Sequence, residues 1–223
     1  MKDPLTMISP RISGAAALLM TLALAGCASN KAPANNTQFD FGPLGAPVAQ
    51  VTQAPLAAIV VMDVTGSPAL ENERMMYRLN YADPLQARTY ANSRWSANPL
   101  ILVTQRLKAR LAQAGVKVLS ATDTTTDVPI LRVELDDFSH AFASTAQSEG
   151  QLVLRASVFR GHSLLDQKTI SRASPAPSAD AAGGVRALAA STDAAAADII
   201  AWLAGMNTSM QTGLNAGNNA GTR

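Results

Sequence analysis

Side chains that could carry out catalysis are few in this sequence, and they stand apart from one another. His140 and His162 are the two histidines. The first falls at a predicted strand end and the second in a predicted turn. For each, an exposed loop histidine is a simpler interpretation than a metal ligand or a general base. Asp136 and Asp137 are adjacent in a predicted strand, so their side chains point to opposite faces and cannot share a proton.

Motifs that mark common enzyme classes are also missing. The sequence has no Gly-x-Ser-x-Gly, no Walker-type phosphate loop, no dinucleotide-binding glycine pattern after a strand and no His-Glu-x-x-His. Its single cysteine leaves no pair for a disulfide, a redox site or a metal site. We therefore predict a protein that is not an enzyme and that uses no cofactor or metal. A periplasmic hydrolase is the weakest alternative, because it rests only on the presence of Asp and His.

The position of the single cysteine indicates a covalent use. Lys2 and Arg11 precede an apolar run over residues 14–25, which has about the length of the hydrophobic region of a secretory signal and is too short to span a bilayer as a helix. The run ends in Leu-Ala-Gly-Cys27, which resembles the bacterial lipobox, in which the cysteine is lipidated and becomes the first mature residue. We predict a signal peptide over residues 1–26 and a diacylated or triacylated Cys27, since stable anchoring takes more than one acyl chain.

The residues around the cysteine bear on the start and the destination of the chain. Ala28 rather than Asp follows Cys27, which by similarity to lipoprotein sorting patterns favours the outer membrane, with the domain facing the periplasm. Residues 27–37 have no hydrophobic periodicity, so we expect a flexible tether. Either Met1 or Met7 could be the true start, because the shorter form keeps a basic residue, the apolar run and the small-residue end.

Charge and hydropathy exclude two classes of protein. The formal net charge is +2 and falls to +1 without the signal peptide. This lacks the excess of positive charge that is typical of nucleic-acid-binding proteins. No later segment reaches 18 consecutive apolar residues, so the sequence predicts no further membrane span.

One helix is marked at both ends. Asn98 can cap the first free amides, Pro99 suits the first helical position and Gly115 suits a left-handed terminator. Apolar residues recur every three to four positions between these signals, while polar ones, Arg106 and Arg110 among them, fill the other sides. The buried positions of this first amphipathic helix are predicted to be Leu100, Val103, Leu107, Leu111 and Ala114.

The remaining patterns predict strands and a second helix. Residues 56–64 are continuously apolar and β-branched, as in a central strand covered on both faces. Residues 130–138 alternate, and residues 151–159 and 164–171 flank a turn at Gly161, as in an antiparallel hairpin. Residues 185–203 form a second amphipathic helix. We predict an α+β domain over residues 38–204, a mostly antiparallel sheet with two helices on one face, and a disordered tail over residues 205–223.

Five residues between the first strands and the first helix are candidates for contact with a partner or a lipid. Aromatic residues are scarce, so those before the helix stand out, and methionines adapt to apolar ligands. For Trp95, the simpler alternative is that it fills the end of the core. For Met75 and Met76, the simpler alternative is ordinary strand packing. The candidate contacts are Met75, Met76, Tyr77, Tyr90 and Trp95.

The order of these motifs resembles the ABC-type transport auxiliary lipoproteins, which include the lipoprotein partner of the paraquat-inducible, MCE-type lipid transport system. The resemblance covers roughly residues 27–203, and it departs from the family where Phe39 stands at a position at which Tyr is common. The residues that carry it are the lipobox, Phe39-Asp-Phe-Gly-Pro43, Met76-Tyr-Arg-Leu79, Tyr90, Trp95-Ser-Ala-Asn-Pro99, Leu131–Phe138 and Ala201-Trp-Leu203.

This resemblance implies a non-enzymatic, lipid-anchored component on the outer membrane. It would help an MCE protein and its ABC permease and ATPase to move lipids or other apolar molecules across the envelope. By position, Cys27 would carry the lipids that hold the protein on a phospholipid membrane. Assembly into a homo-oligomer, such as a ring, is a further expectation, since a monomer has no obvious way to enclose a lipid path. The alternative is a stand-alone structural or envelope-stress lipoprotein without a transporter partner.

Overall fold

The computed structural model describes residues 36–46, 56–123 and 128–220, with side chains up to Met206. The predicted signal peptide, Cys27 and nearly all of the predicted tether lie outside the described residues. Besides a short 3-10 helix (Pro68–Leu70), the described part contains nine strands and two α-helices: β1 (Thr37–Phe39), β2 (Ala58–Val61), β3 (Thr65–Gly66), β4 (Arg74–Leu79), β5 (Ala87–Trp95), α1 (Pro99–Gln113), β6 (Lys117–Leu119), β7 (Ile130–Phe142), β8 (Ser148–Arg160), β9 (Ser163–Pro175) and α2 (Ala181–Ala220).

The long strand β7 is the axis of the sheet. Along one edge it pairs with β8 in antiparallel fashion from end to end, and β8 pairs in the same way with β9. Along the other edge β7 pairs in turn with β2, β3 and β4, each in parallel. The sheet then continues outward from β2 to β6 and from β4 through β5 to β1. Two wings of short strands therefore share one long central strand.

The predicted strand directions were partly wrong. The hairpin of β8 and β9 is confirmed, with Gly161 in the left-handed region at φ 58°. Of the eight strand pairings in the described part of the chain, however, five are parallel, so the sheet is mixed rather than mostly antiparallel. The crossover through α1 separates the early strands from β7, and a connection of that length permits parallel pairing. In addition, residues 87–95 form β5, a strand that the sequence did not predict.

Helix α1 begins and ends where the sequence predicted. The Asn98 side chain accepts a hydrogen bond from the backbone N–H of Ile101 at 3.0 Å, Pro99 is the first helical residue, and Gly115 has φ 84°. Of the positions predicted to be buried, four are buried and Ala114 is half-buried. Arg106 and Arg110, expected on the polar sides, are buried as well. The helix therefore packs against neighbours on a wider arc than its hydrophobic pattern indicates.

Helix α2 extends beyond its predicted end. The amphipathic segment over residues 185–203 is confirmed, and the helix continues to Ala220 through the stretch that the sequence predicted to be disordered. Extending a helix that is already anchored by packed turns costs far less than starting one. Its segment Ala181–Met206 is long and apolar enough for a membrane span, yet half of it is buried in the domain. Packing against the sheet accounts for that apolar character.

Glycine allows α2 to approach the sheet closely. A Cβ atom added at Gly150 in β8 would lie 2.4 Å from the backbone nitrogen of Leu188, and one added at Gly184 in α2 would lie 2.4 Å from Nδ1 of His140. Both distances are far shorter than side-chain contacts allow. The helix backbone therefore lies directly on β7 and β8.

Candidate functional site

The five predicted contact residues all lie on the hairpin formed by β4 and β5, but the structure divides them. Met75 and Trp95 are each 1 % exposed and belong to the main hydrophobic core. The Trp95 ring packs against the rings of Phe41 and Phe138, with centroids 5.6 and 5.7 Å away. Burial therefore removes these two residues from any contact surface. Met76, Tyr77 and Tyr90 are partly exposed, so their role in contact stays a prediction.

Tyr77 and Tyr90 belong to an aromatic cluster that also contains His140 and Phe142. The parallel register of β4 and β7 sets Tyr77 opposite His140. The Tyr77 ring lies 4.7 Å from that of Tyr90 and 6.0 Å from that of Phe142, while the His140 and Phe142 rings are 4.4 Å apart, centroid to centroid. Aromatic pairs at these separations stabilise each other beyond the area they bury. The cluster fixes the hairpin to the central strand.

His140 is not the exposed loop histidine that the sequence predicted. Strand β7 runs four residues past its predicted end at Phe138, and His140 is 0 % exposed within it. The hydroxyl of Tyr90 lies 2.8 Å from Nδ1 of His140, and Nε2 has no hydrogen-bond partner among the described residues. Burial lowers the pKa of His140 to about 4 against a weaker opposing effect of Asp180. The imidazole is therefore neutral at neutral pH.

The aromatic cluster is poorly suited to acid–base chemistry. Burial, followed by the proximity of Tyr77 and Asp180, raises the pKa of Tyr90 far above its ordinary value. A neutral histidine closed to solvent is poorly placed to take a proton from an external substrate, and a tyrosine with a raised pKa keeps its own proton. The residues that the structure describes also contain no group of three or more His, Cys, Asp and Glu side chains that could hold a metal ion. The rings of the cluster pack against one another.

The outer side of the hairpin carries a cleft of about 940 Å³, here called the polar cleft. It lies between the hairpin and the start of α1, and Tyr90 and Asn98 contribute to its wall. Its charged residues are two arginines, Arg74 and Arg94, and two glutamates, Glu71 and Glu73. Its volume falls within the range of small-molecule sites.

The two arginines of the polar cleft are direct neighbours. Arg74 of β4 and Arg94 of β5 are cross-strand partners in the antiparallel pair, and both are exposed. Like charges that face each other across two strands destabilise the pair. Within the described part of the chain, neither guanidinium is within ion-pair distance of a carboxylate. Two adjacent cations are thus left available to an external anion.

A second cavity of about 420 Å³, here called the apolar groove, adjoins the polar cleft. Val64, Leu100 and Thr104 line it, and Lys108 and Asp63 form an ion pair of 2.9 Å at its rim. Ile101 lines both cavities and is 45 % exposed. The two cavities therefore meet at the first turn of α1.

A buried ion-pair cluster joins the two helices, and the sequence did not reveal it. The carboxylate of Asp193 in α2 accepts hydrogen bonds at 2.7 Å from Nε of Arg106 and from Nε of Arg110, both in α1. Burial alone would raise the pKa of Asp193, but the hydrogen bonds from the two arginines outweigh that effect and lower it. The arginines also donate to the backbone oxygens of Gly42 and Ala46, so the cluster holds the segment after β1.

The fold is shared with solved structures of low sequence identity. A crystal structure of a protein from Xanthomonas campestris has 13 % identity and a TM-score of 0.67, and the match covers 79 % of this chain and 99 % of that one. A second crystal structure, of an uncharacterised protein, has 16 % identity and a TM-score of 0.55, covering 68 % of this chain and 95 % of that one. At such identities the likeness shows the fold alone.

The sequence itself matches a family over most of the described domain. No curated protein shows significant similarity to the chain. The family model described as the ABC-type transport auxiliary lipoprotein component, by contrast, matches residues 39–200. The match runs from β1 into the second half of the packed part of α2, so it includes both cavities, the aromatic cluster and the buried ion pair. The chain belongs to the family of ABC-type transport auxiliary lipoprotein components.

Proposed function

We propose that this protein is a lipid-anchored, periplasm-facing auxiliary component of an MCE/ABC-type transport system that moves lipids or other apolar molecules across the bacterial envelope. The observation that carries the proposal is the family match over residues 39–200. Cys27 would hold the protein on the outer membrane, and an MCE protein with its ABC permease and ATPase would be its partners.

The geometry of the domain supports a binding role over a catalytic one. Its one histidine in the core is sealed from solvent and neutral, whereas the polar cleft and the apolar groove are open and lack a catalytic constellation among the described residues. Open cavities with mixed polar and apolar walls suit recognition of a molecule rather than its conversion. Accordingly, we propose that the protein acts by contact.

The contact surface proposed on the hairpin is smaller than the sequence predicted. Met75 and Trp95 are excluded by burial, which leaves Met76, Tyr77 and Tyr90 as partly exposed residues. Since Tyr77 and Tyr90 are also held by the aromatic cluster, they form a rigid surface that loses little conformational entropy on binding. Rigid aromatic surfaces of this kind are favoured at the centres of interfaces.

Affinity purification of the full-length lipidated protein from detergent-solubilised envelopes tests this function. Mass spectrometry of the recovered proteins should identify an MCE protein together with an ABC permease or ATPase. The Cys27→Ala form should leave the membrane fraction and recover less of these partners, since anchoring raises their effective concentration around the protein. Correctly lipidated protein that recovers no transport component would favour the stand-alone structural or envelope-stress lipoprotein.

A substitution on the hairpin then tests its surface. Met76→Glu places a charge on the partly exposed side of β4 and should reduce recovery of the partner without removing the lipid anchor. Leu85→Glu is the matched control, because Leu85 is 89 % exposed in the turn that follows β4. Equal recovery from both variants would exclude the face of β4 on which Met76 lies, and Tyr77 points to the opposite face.

A further inference from the structure

The polar cleft and the apolar groove lie side by side, and together they have the shape and chemistry of an amphiphile site. Ile101 and Asn98 belong to both cavities. The cleft side of this boundary carries charged side chains. The groove side is walled by Val64 and Leu100, which are largely buried, and the ion pair of Lys108 with Asp63 lies at its rim. A ligand with a charged headgroup and an aliphatic chain would satisfy both sides at once.

The arginine pair specifies the charge of the headgroup. Arg74 and Arg94 face each other across β4 and β5, exposed and without an ion pair in the described part of the chain. A phosphate between them would remove their mutual repulsion and accept charge-assisted, bidentate hydrogen bonds. The first turn of α1, which lines the same cleft, adds the partial positive charge of a helix N-terminus.

The two glutamates specify the rest of the headgroup. Glu71 and Glu73 line the same cleft, so its four charged side chains sum to zero. A headgroup with a net negative charge would gain from the arginines but be repelled by the glutamates. A headgroup that carries both a phosphate and an ammonium group can form ion pairs with both the arginines and the glutamates.

From this arrangement we infer that the cleft and the groove bind a zwitterionic phospholipid, with its phosphate on Arg74 and Arg94, its ammonium group towards Glu71 and Glu73, and an acyl chain along Ile101. The inference rests on the proposed function and deepens it, because it names the class of molecule that the auxiliary component handles. In this arrangement the acyl chain contacts the exposed side chain of Ile101 where it passes from the polar cleft to the apolar groove.

Photo-crosslinking in living cells tests the site. A photoreactive phenylalanine analogue replaces Ile101 in the full-length chain, and after irradiation the purified protein is examined by mass spectrometry for a covalently attached phospholipid. The same analogue at Leu85, which is exposed but lies in neither cavity, is the control. We expect a phospholipid adduct at Ile101 and little at Leu85. Equal adducts at both positions, or an adduct at Ile101 with protein only, would overturn the inference.

The arginines are tested in the same background. Arg74→Ala combined with Arg94→Ala should reduce the phospholipid adduct about tenfold or more, because each charge-assisted hydrogen bond contributes substantially to binding. Lys117→Ala combined with Lys168→Ala removes the same charge from β6 and β9 and should leave the adduct unchanged. A thermal melt of each variant confirms that it folds. An adduct that is insensitive to the arginines would show that the phosphate is not held by them.

Headgroup preference is measured on the purified full-length protein by native mass spectrometry. Lysophosphatidylethanolamine should be retained more than lysophosphatidylglycerol, and Glu71→Gln with Glu73→Gln should abolish the difference. Equal or stronger retention of the glycerol form by the unsubstituted protein would overturn the zwitterion assignment. Recovery of transport subunits without any lipid at Ile101 would reject this inference and leave the proposed function standing.

Discussion

The hydroxyl of Tyr90 lies 2.8 Å from Nδ1 of His140 and joins two strands that are not neighbours in the sheet. Strand β4 lies between them, and the hydrogen bond passes across it. This is possible because the register of β5 against β4 shifts between Arg74 and Met76, which places Tyr90 in an irregular stretch of β5. The hairpin that lines the polar cleft is thereby tied to the central strand of the domain.

Burial of His140 makes stability depend on pH. Its pKa is about 4 in the folded protein, against an ordinary value of 6.5. As pH falls below 6.5, the histidine is protonated in the unfolded chain but stays neutral in the folded protein. The contribution of His140 to the free energy of unfolding is therefore full above pH 6.5 and is lost progressively towards pH 4. This difference corresponds to about 3 kcal/mol. We expect His140→Phe to flatten the pH dependence of the free energy of unfolding, measured with urea at pH 7.5, 5.5 and 4.5.

His162 provides the matched control for that measurement. It lies exposed in the turn between β8 and β9, so His162→Phe should keep the pH dependence of the unsubstituted protein. Loss of the slope in the His162 variant, or its persistence in the His140 variant, would mean that another group titrates on unfolding in this range.

The ion pair between the helices predicts a large loss of stability from a single neutral substitution. Asp193→Asn leaves Arg106 and Arg110 buried without a charged partner, which typically costs about 3–5 kcal/mol. Urea unfolding at pH 7 measures this loss. Asp198→Asn, which removes the carboxylate of an exposed pair with Arg172, should change stability little.

A second variant separates burial of charge from loss of contact. Replacing Arg106, Arg110 and Asp193 together with aliphatic residues of similar volume should recover much of the stability lost in Asp193→Asn, since a packed apolar cluster needs no compensating charge. If the triple variant were less stable than the single one, packing of the guanidinium groups would matter more than their charge.

The local signals in the sequence were sufficient for α1 and for the hairpin of β8 and β9. The cap at Asn98, the terminator at Gly115 and the turn at Gly161 act within a few residues, so the sequence predicts them directly. The alternation in the first half of β7 is equally local: Leu131, Val133 and Leu135 are buried between exposed neighbours.

What the sequence did not predict depends on residues far apart in the chain. The helical pattern alone placed Arg106 and Arg110 towards solvent, because their partner Asp193 is more than eighty residues away. His140 was likewise predicted to be an exposed loop histidine, because two of the residues that pack against it, Tyr90 and Gly184, lie on other elements. Strand direction is also non-local, since the same alternation fits parallel and antiparallel neighbours.

The approach of α2 to the sheet predicts that one added methyl group is costly. In Gly150→Ala the new Cβ would lie 2.4 Å from the backbone nitrogen of Leu188 and 2.5 Å from the carbonyl carbon of Ala187. Backbone atoms cannot rotate away, so the helix must shift, and we expect a loss of about 1–3 kcal/mol or more in urea unfolding. Gly205→Ala is the opposite case, because a Cβ there meets nothing within 4 Å. It should be neutral or stabilising by about 1 kcal/mol.

The N-cap of α1 links stability to the shape of both cavities. Asn98→Ala removes the acceptor for the backbone N–H of Ile101 and should cost about 1 kcal/mol, whereas Asn98→Asp keeps the acceptor and should retain most of the stability. Because Asn98 and Ile101 line both cavities, fraying of this turn should also weaken the phospholipid adduct at Ile101. Asn92→Ala, an exposed substitution in β5, is the control for both measurements. A phospholipid adduct that survives complete loss of the cap would show that the site does not need an ordered first turn of α1.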